Sequence, residues 1–173
     1  FNVAMAKVNY EGKYTYCYCT KSSHFSFVLE EVLENDAHLE TSSAYDIDIV
    51  KAMHESGKLT KDHYIIANGF KGEKYMEGLT DLIQDGFNVV PILDNKRELD
   101  KYQSILGKKQ NINIGIRIAS EEEPSFEFYT SRLGIRHADI LDYYKTDIKP
   151  HKNVKLNMLH FFINTGIKDT TYY

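Results

Sequence analysis

The chain has no tryptophan, three prolines and only two cysteines, and it carries no apolar run of membrane-spanning length. Each shortage excludes something. Cys17 and Cys19 lie two apart in a β-favouring segment, where i,i+2 side chains are badly placed for a disulfide. Without a second Cys or His pair they do not form a four-ligand zinc site. They read as reduced thiols, as expected of a cytoplasmic protein. The N-terminus lacks the basic, apolar and small-residue order of a signal peptide. A dominant charge is missing too: 21 Lys and Arg are interspersed with 25 Asp and Glu, for a net charge of −4. That leaves no basic footprint for nucleic acid or an anionic membrane. What remains is a globular sequence of 173 residues, 42% of them hydrophobic, long enough for one domain with a real core.

The chain repeats a strand, loop and helix unit. Tyr14 to Thr20 is aromatic and β-favouring; Ser22 and Ser23 offer a helix N-cap, and Phe25, Val28, Leu29, Val32 and Leu33 follow at helical spacing. Ala37 to Glu40 reads as a second strand, with Ser42 and Ser43 as caps and Tyr45, Ile49, Ala52 and Met53 as the apolar stripe. Tyr64 to Ala67 and Val89 to Leu93 read as the third and fourth strands, each followed by a helix that stops at Gly86 or Gly107. A weaker helix around Ile140 to Tyr144 precedes a sixth strand over Val154 to Thr165.

Short strands alternating with helices predict a parallel sheet covered by helices, either open and doubly wound or closed as a (β/α) barrel. The fifth strand favours the barrel. Ile112, Ile114, Ile116 and Ile118 alternate with Asn113, Gly115, Arg117 and Ala119, giving an aliphatic face for outer helices and a small or polar face for a crowded interior. Six strands are two short of eight, and the pattern breaks off at both ends, so a piece of a longer chain is expected.

In such barrels the reactive groups stand at the C-terminal ends of the strands. Those ends carry Lys21, Glu40, Asn68, Asp94, Arg117, and then His160, Phe162, Asn164 and Thr165. A lysine, a carboxylate and a guanidinium on one mouth suit catalysis, yet each has an ordinary alternative. Lys21 can be a solvated loop residue, Glu40 can bond the helix N-terminus behind Ser42, Arg117 can be an internal ion-pair partner, and His160 can be a hydrogen-bonded core histidine. Spacing alone leaves the function open.

The local sequences add more. Tyr18-Cys19-Thr20-Lys21 with Ser22-Ser23 resembles the Tyr-x-x-Lys-x-Asn element of the fold-type III pyridoxal-phosphate enzymes, the alanine racemase and ornithine/arginine decarboxylase superfamily. Leu39-Glu40-Thr41-Ser42-Ser43 resembles the second-strand motif of its decarboxylases. Ile65-Ile66-Ala67-Asn68-Gly69-Phe70-Lys71 is similar to the Cys-Asn-Gly-Phe/Tyr-Lys stretch of biosynthetic arginine decarboxylases. Ile116-Arg117-Ile118-Ala119-Ser120, Ser131-Arg132-Leu133-Gly134-Ile135 and Leu159-His160-Phe161-Phe162-Ile163-Asn164-Thr165 resemble further motifs of that group, in the same order.

The resemblance implies an alanine-racemase-type (β/α)8 barrel truncated to about six units, with residues 1–173 forming part of the pyridoxal-phosphate-binding domain and with the last barrel units and a C-terminal β-domain absent. It implies that Lys21 carries the cofactor, Glu40 lies near its ring, Arg117 organises the polar side, Phe162 covers one face with His160 one layer deeper, and Asn164 and Thr165 meet the phosphate. Two departures stand out: the family's ring-stacking histidine falls on Phe162, and its Gly-Ser phosphate contact falls on Asn164-Thr165. Phe162 retains an aromatic face but cannot titrate. The implied reaction is decarboxylation of a basic amino acid, arginine to agmatine in polyamine biosynthesis, by a homodimer or higher oligomer. Ornithine, lysine or diaminopimelate decarboxylases, a racemase and a non-catalytic relative share enough of the pattern to stay open.

Overall fold

A computed structural model describes residues 2–119 and 133–161. A short helix α1 (Asn2–Lys7), which the sequence did not foretell, leads into strand β1 (Cys17–Cys19). Then follow α2 (Ser26–Glu34), β2 (His38–Thr41), α3 (Tyr45–Glu55), β3 (Ile65–Ala67), α4 (Glu73–Gln84), β4 (Val89–Leu93), α5 (Arg97–Leu106) and β5 (Ile112–Arg117). Helix α6 (His137–Tyr143), extended by a π-helical turn over Tyr144–Ile148, leads to β6 (Val154–His160).

The six described strands pair in parallel in the order in which they occur, β1 to β6. That order separates the two expected architectures. A doubly wound sheet reverses direction at a switch point, whereas consecutive right-handed crossovers that never reverse place every helix on one side and free the other to curl inward. The curl is visible in one contact. Asn68, just after β3, lies 3.2 Å from His160 at the end of β6, yet in a flat sheet strands three places apart stand about 14 Å from each other. The fold is thus the expected (β/α) barrel, of which the described strands are six.

Two apolar clusters follow from the closure. The large one sits between sheet and helices, built from residues such as Leu29, Leu39, Ile65, Leu79, Leu99, Tyr102 and Ile112, Ile114 and Ile116 of β5. The small one fills the barrel interior with Ile66, Val90 and Ile92, against which Cys17 and Met158 pack. The aliphatic face of β5 therefore meets the helices, as its alternation predicts. Its inner face is crowded: a Cβ on Gly115 would lie 2.4 Å from Ile92 Cδ1 and 3.2 Å from Met158 Cβ, so any larger residue there would make the Ile92 side chain move aside.

Strand β6 changes phase midway. Ile114 pairs with Leu156 but Gly115 pairs with Met158, leaving Asn157 as an extra residue in a bulge. Before the bulge, Val154 and Leu156 face the helices; after it, Met158 faces the interior.

The helices owe their position to apolar stripes, clearest in α4, where Tyr75, Met76, Leu79, Leu82 and Ile83 are buried and Gly86 ends the run at φ +85°. Their starts differ from the expected serine caps. Helix α2 begins at Ser26, because Lys21 and Ser22 are spent in the turn that leaves β1. At α3 the carboxylate of Asp46 reaches back instead, accepting the N–H groups of Ser42 and Ser43, each at 2.8 Å. The first strand is shorter than its β-favouring run, since Tyr14 and Tyr16 are exposed beyond the end of the ladder.

Candidate active site

Glu40, Asn68, Asp94, Arg117 and His160 are all placed by the strands' C-terminal ends. Thr20 anchors the first of these ends: it is buried, and both its N–H (3.0 Å) and its hydroxyl (3.1 Å) donate to the Glu40 carbonyl. The chain then turns at once, the Ser22 N–H donating to the Cys19 carbonyl at 3.0 Å. Lys21 is held in that turn, exposed, on the strand end beside Glu40.

Glu40 does not serve the helix behind it, since Asp46 has that task. Its carboxylate faces inward, where Oε1 accepts from Asn68 Nδ2 at 3.2 Å and meets Cys19 Sγ at 3.9 Å. Burial, reinforced by Glu40, pushes the Cys17 thiol up to about 11 and raises that of Cys19. Both are therefore protonated and unreactive near neutrality.

The Asn68 amide orients His160. One hydrogen of its NH2 points at Glu40 Oε1, so the other points at His160 Nε2, 3.2 Å away. Turning the amide over would set its oxygen against the Glu40 carboxylate. His160 Nε2 is thereby fixed as an acceptor, and the ring proton belongs on Nδ1. Burial lowers the His160 pKa, with Glu40 opposing and Arg117 adding to the effect. The Nδ1 of His160 and the Oδ1 of Asn68 are buried with no hydrogen-bond partner among the described residues, an orphan donor and acceptor at the barrel mouth.

This arrangement carries a pH signature. A histidine whose folded pKa lies below its ordinary 6.5 is less protonated in the folded than in the unfolded chain. Its contribution to stability is complete above that value and is lost as pH falls through the folded pKa. Thermal melts between pH 7.5 and 5 are expected to fall less steeply for His160→Gln than for the unsubstituted chain. Parallel slopes would overturn this account of the ring.

A second group lies beside the first. Asp94, after β4, meets Arg117 Nη1 through Oδ1 at 3.9 Å, which bears out the reading of Arg117 as an internal ion-pair partner. Lys71 and Glu98 complete a buried charge cluster with them. These two were not foreseen. The Asn-Gly-Phe-Lys motif contains Lys71, but a lysine four residues past a strand gives no sign that the turn at Gly69 (φ +78°) folds it inward. Phe162, Asn164 and Thr165 lie outside the described residues.

A parallel barrel with charged and amide groups gathered on its C-terminal mouth is a fold that this chain shares with solved structures of amino-acid decarboxylases. The chain superposes on the biosynthetic arginine decarboxylase of Campylobacter jejuni with a TM-score of 0.70 at 18% identity, covering 96% of this chain and 27% of that one. On diaminopimelate decarboxylase of M. jannaschii in co-complex with L-lysine the TM-score is 0.73 at 14% identity, covering 98% and 40%. In sequence it is similar to the biosynthetic arginine decarboxylase of Vibrio vulnificus, 25% identical over 178 residues, 95% of this chain and 27% of the relative. The resemblance carried by the motifs thus holds along nearly the whole chain. The chain spans about a quarter of the length of the curated relatives it matches. No protein-family model matches it.

Proposed function

We propose that the complete protein decarboxylates a basic amino acid with pyridoxal phosphate, and that arginine, giving agmatine and carbon dioxide, is the substrate. The observation that carries this reading is the mouth itself. An exposed lysine on the first strand end stands beside a ring of polar groups, Glu40, Asn68 and His160, that includes a buried donor and acceptor with no partner among the described residues. These groups fit the cofactor, which needs an amine for attachment, hydrogen-bonding groups for its ring substituents and a dry wall behind it.

Pyridoxal phosphate, when bound, supplies the electron sink for loss of the carboxylate. The chain's own residues supply the rest. Lys21 would hold the cofactor by its side-chain amine. Glu40, kept inward by Asn68, would accept a hydrogen bond from the cofactor ring, and His160 would back the same wall. Arg117 supplies positive charge on the polar side. Phe162 would cover a ring face, and Asn164 and Thr165 would meet the phosphate. The Ile66, Val90 and Ile92 cluster beneath excludes water from below, which strengthens every charge interaction above it. The similarity to biosynthetic arginine decarboxylases supports arginine, and a place in polyamine biosynthesis, the cytoplasm and a homodimer go with that reading.

The test is release of carbon dioxide from arginine, ornithine, lysine and diaminopimelate by the full-length protein supplied with cofactor. Arginine is expected to give the highest kcat/KM. Release from ornithine and not from arginine would overturn the substrate, and release from none would overturn the reaction.

A further inference from the structure

Behind the mouth lies a charge cluster with almost no access to water. The Lys71 side chain is 0% exposed, Asp94 3%, Glu98 7% and Arg117 15%. Lys71 Nζ donates to the Gly69 carbonyl at 2.9 Å and pairs with Glu98 Oε2 at 3.2 Å and Asp94 Oδ2 at 3.5 Å. Glu98 is tied down in turn, its oxygens accepting Asn95 Nδ2 at 2.9 Å and the Asp94 N–H at 3.3 Å. Among the described residues the two Asp94 oxygens have no hydrogen bond and are engaged by charge, Oδ2 toward Lys71 and Oδ1 toward Arg117.

Among the described residues two cations and two carboxylates balance, which burial demands. The division between them is uneven. Lys71 holds the shorter contacts to the carboxylates, and Arg117 meets Asp94 at 3.9 Å, near the outer limit of an ion pair. Arg117 stands at the end of β5, where its backbone pairs with His160 of β6. Were Lys71 uncharged, Arg117 would be the cation left facing Asp94 and Glu98 among the described residues, and in a dry site that attraction is far stronger than in water. The guanidinium would then be drawn down onto Asp94 and away from the mouth.

We propose that Lys71 is a positioning residue of the mouth: by engaging Asp94 and Glu98 it sets how far Arg117 reaches toward the bound cofactor. This rests on the function proposed above. It assigns the loop lysine and the first-turn Glu98 of α5 to the site, although neither touches its rim.

The test measures the dissociation constant of pyridoxal phosphate in the full-length protein, from the absorbance band of the lysine-bound cofactor, with melting curves alongside. Lys71→Met is expected to weaken binding about tenfold or more in protein that remains folded, and to have no further effect when Arg117 is already Met, because residues acting through one another are not additive. Should Lys71→Met not fold, Glu98→Gln keeps the shape of the side chain but removes its charge and one of its two accepting oxygens; Lys71 then turns wholly to Asp94, and cofactor affinity is expected to change severalfold only where Arg117 is present. Wild-type affinity in a folded Lys71→Met or Glu98→Gln protein, or equal losses with and without Arg117, would overturn the proposal and leave the decarboxylase reading intact. An unsubstituted protein that never develops the band would overturn both.

Discussion

Lys21→Ala in the full-length protein is expected to abolish the absorbance band of the lysine-bound cofactor and to lower kcat by about four orders of magnitude or more, the scale on which covalent catalysts fail when the attacking group is removed. Stability should barely change. Lys21 is exposed, and the turn that presents it is held by the Ser22 N–H and by Thr20, neither of which uses the lysine side chain. The separation of the two effects is what makes the substitution informative. A variant that melts normally and has lost the band places the attachment at Lys21; one that keeps the band moves the attachment elsewhere.

Gly134→Ala is expected to destabilise the protein by about 2–4 kcal/mol, the sum of backbone strain and overpacking. Gly134 has φ +105°, and a Cβ there would lie 2.7 Å from Ala119 N and 3.0 Å from the Arg117 carbonyl oxygen. These are backbone atoms with nowhere to go. The segment is also a clasp: the Gly134 N–H donates to the Asp94 carbonyl at 3.0 Å, the Ile135 N–H to the Arg117 carbonyl at 2.8 Å, and the Ala119 N–H to the Ile135 carbonyl at 2.9 Å. Pushing Gly134 outward would loosen the two residues whose side chains face each other in the charge cluster. The denaturant midpoint should fall and cofactor affinity with it; a midpoint equal to that of the unsubstituted chain would show that the clasp yields without strain.

Much of this barrel was legible in the sequence, and the reasons are local. The run Val89–Leu93 is buried throughout and bounded by turn residues, so its limits were readable. The isoleucine alternation of β5 reports which side meets helices. Helix starts were harder, because serines offer caps wherever they stand, and whether Ser42 or Asp46 closes the turn depends on a side chain reaching back four residues. At the mouth, Glu40, Arg117 and His160 could be collected because each ends a strand. Lys71 and Glu98 could not, since a loop lysine and a helix glutamate ordinarily meet solvent. Only the turn at Gly69 and the first turn of α5 bring them inward, and those are three-dimensional facts.

The bulge at Asn157 bears on how such chains vary in length. Because Asn157 is the unpaired residue, a chain lacking it would run in simple alternation from Leu156 to Met158 and would still aim the residue after Leu159 inward, in register with Arg117. A chain gaining a residue anywhere between Met158 and His160 would rotate that histidine toward the helices and empty its place opposite Asn68. Position 157 is therefore a point of permitted deletion, and the two steps beyond it are a point of forbidden insertion. Relatives that differ by one residue in this strand are best aligned by the inward-facing histidine and not by the start of the strand.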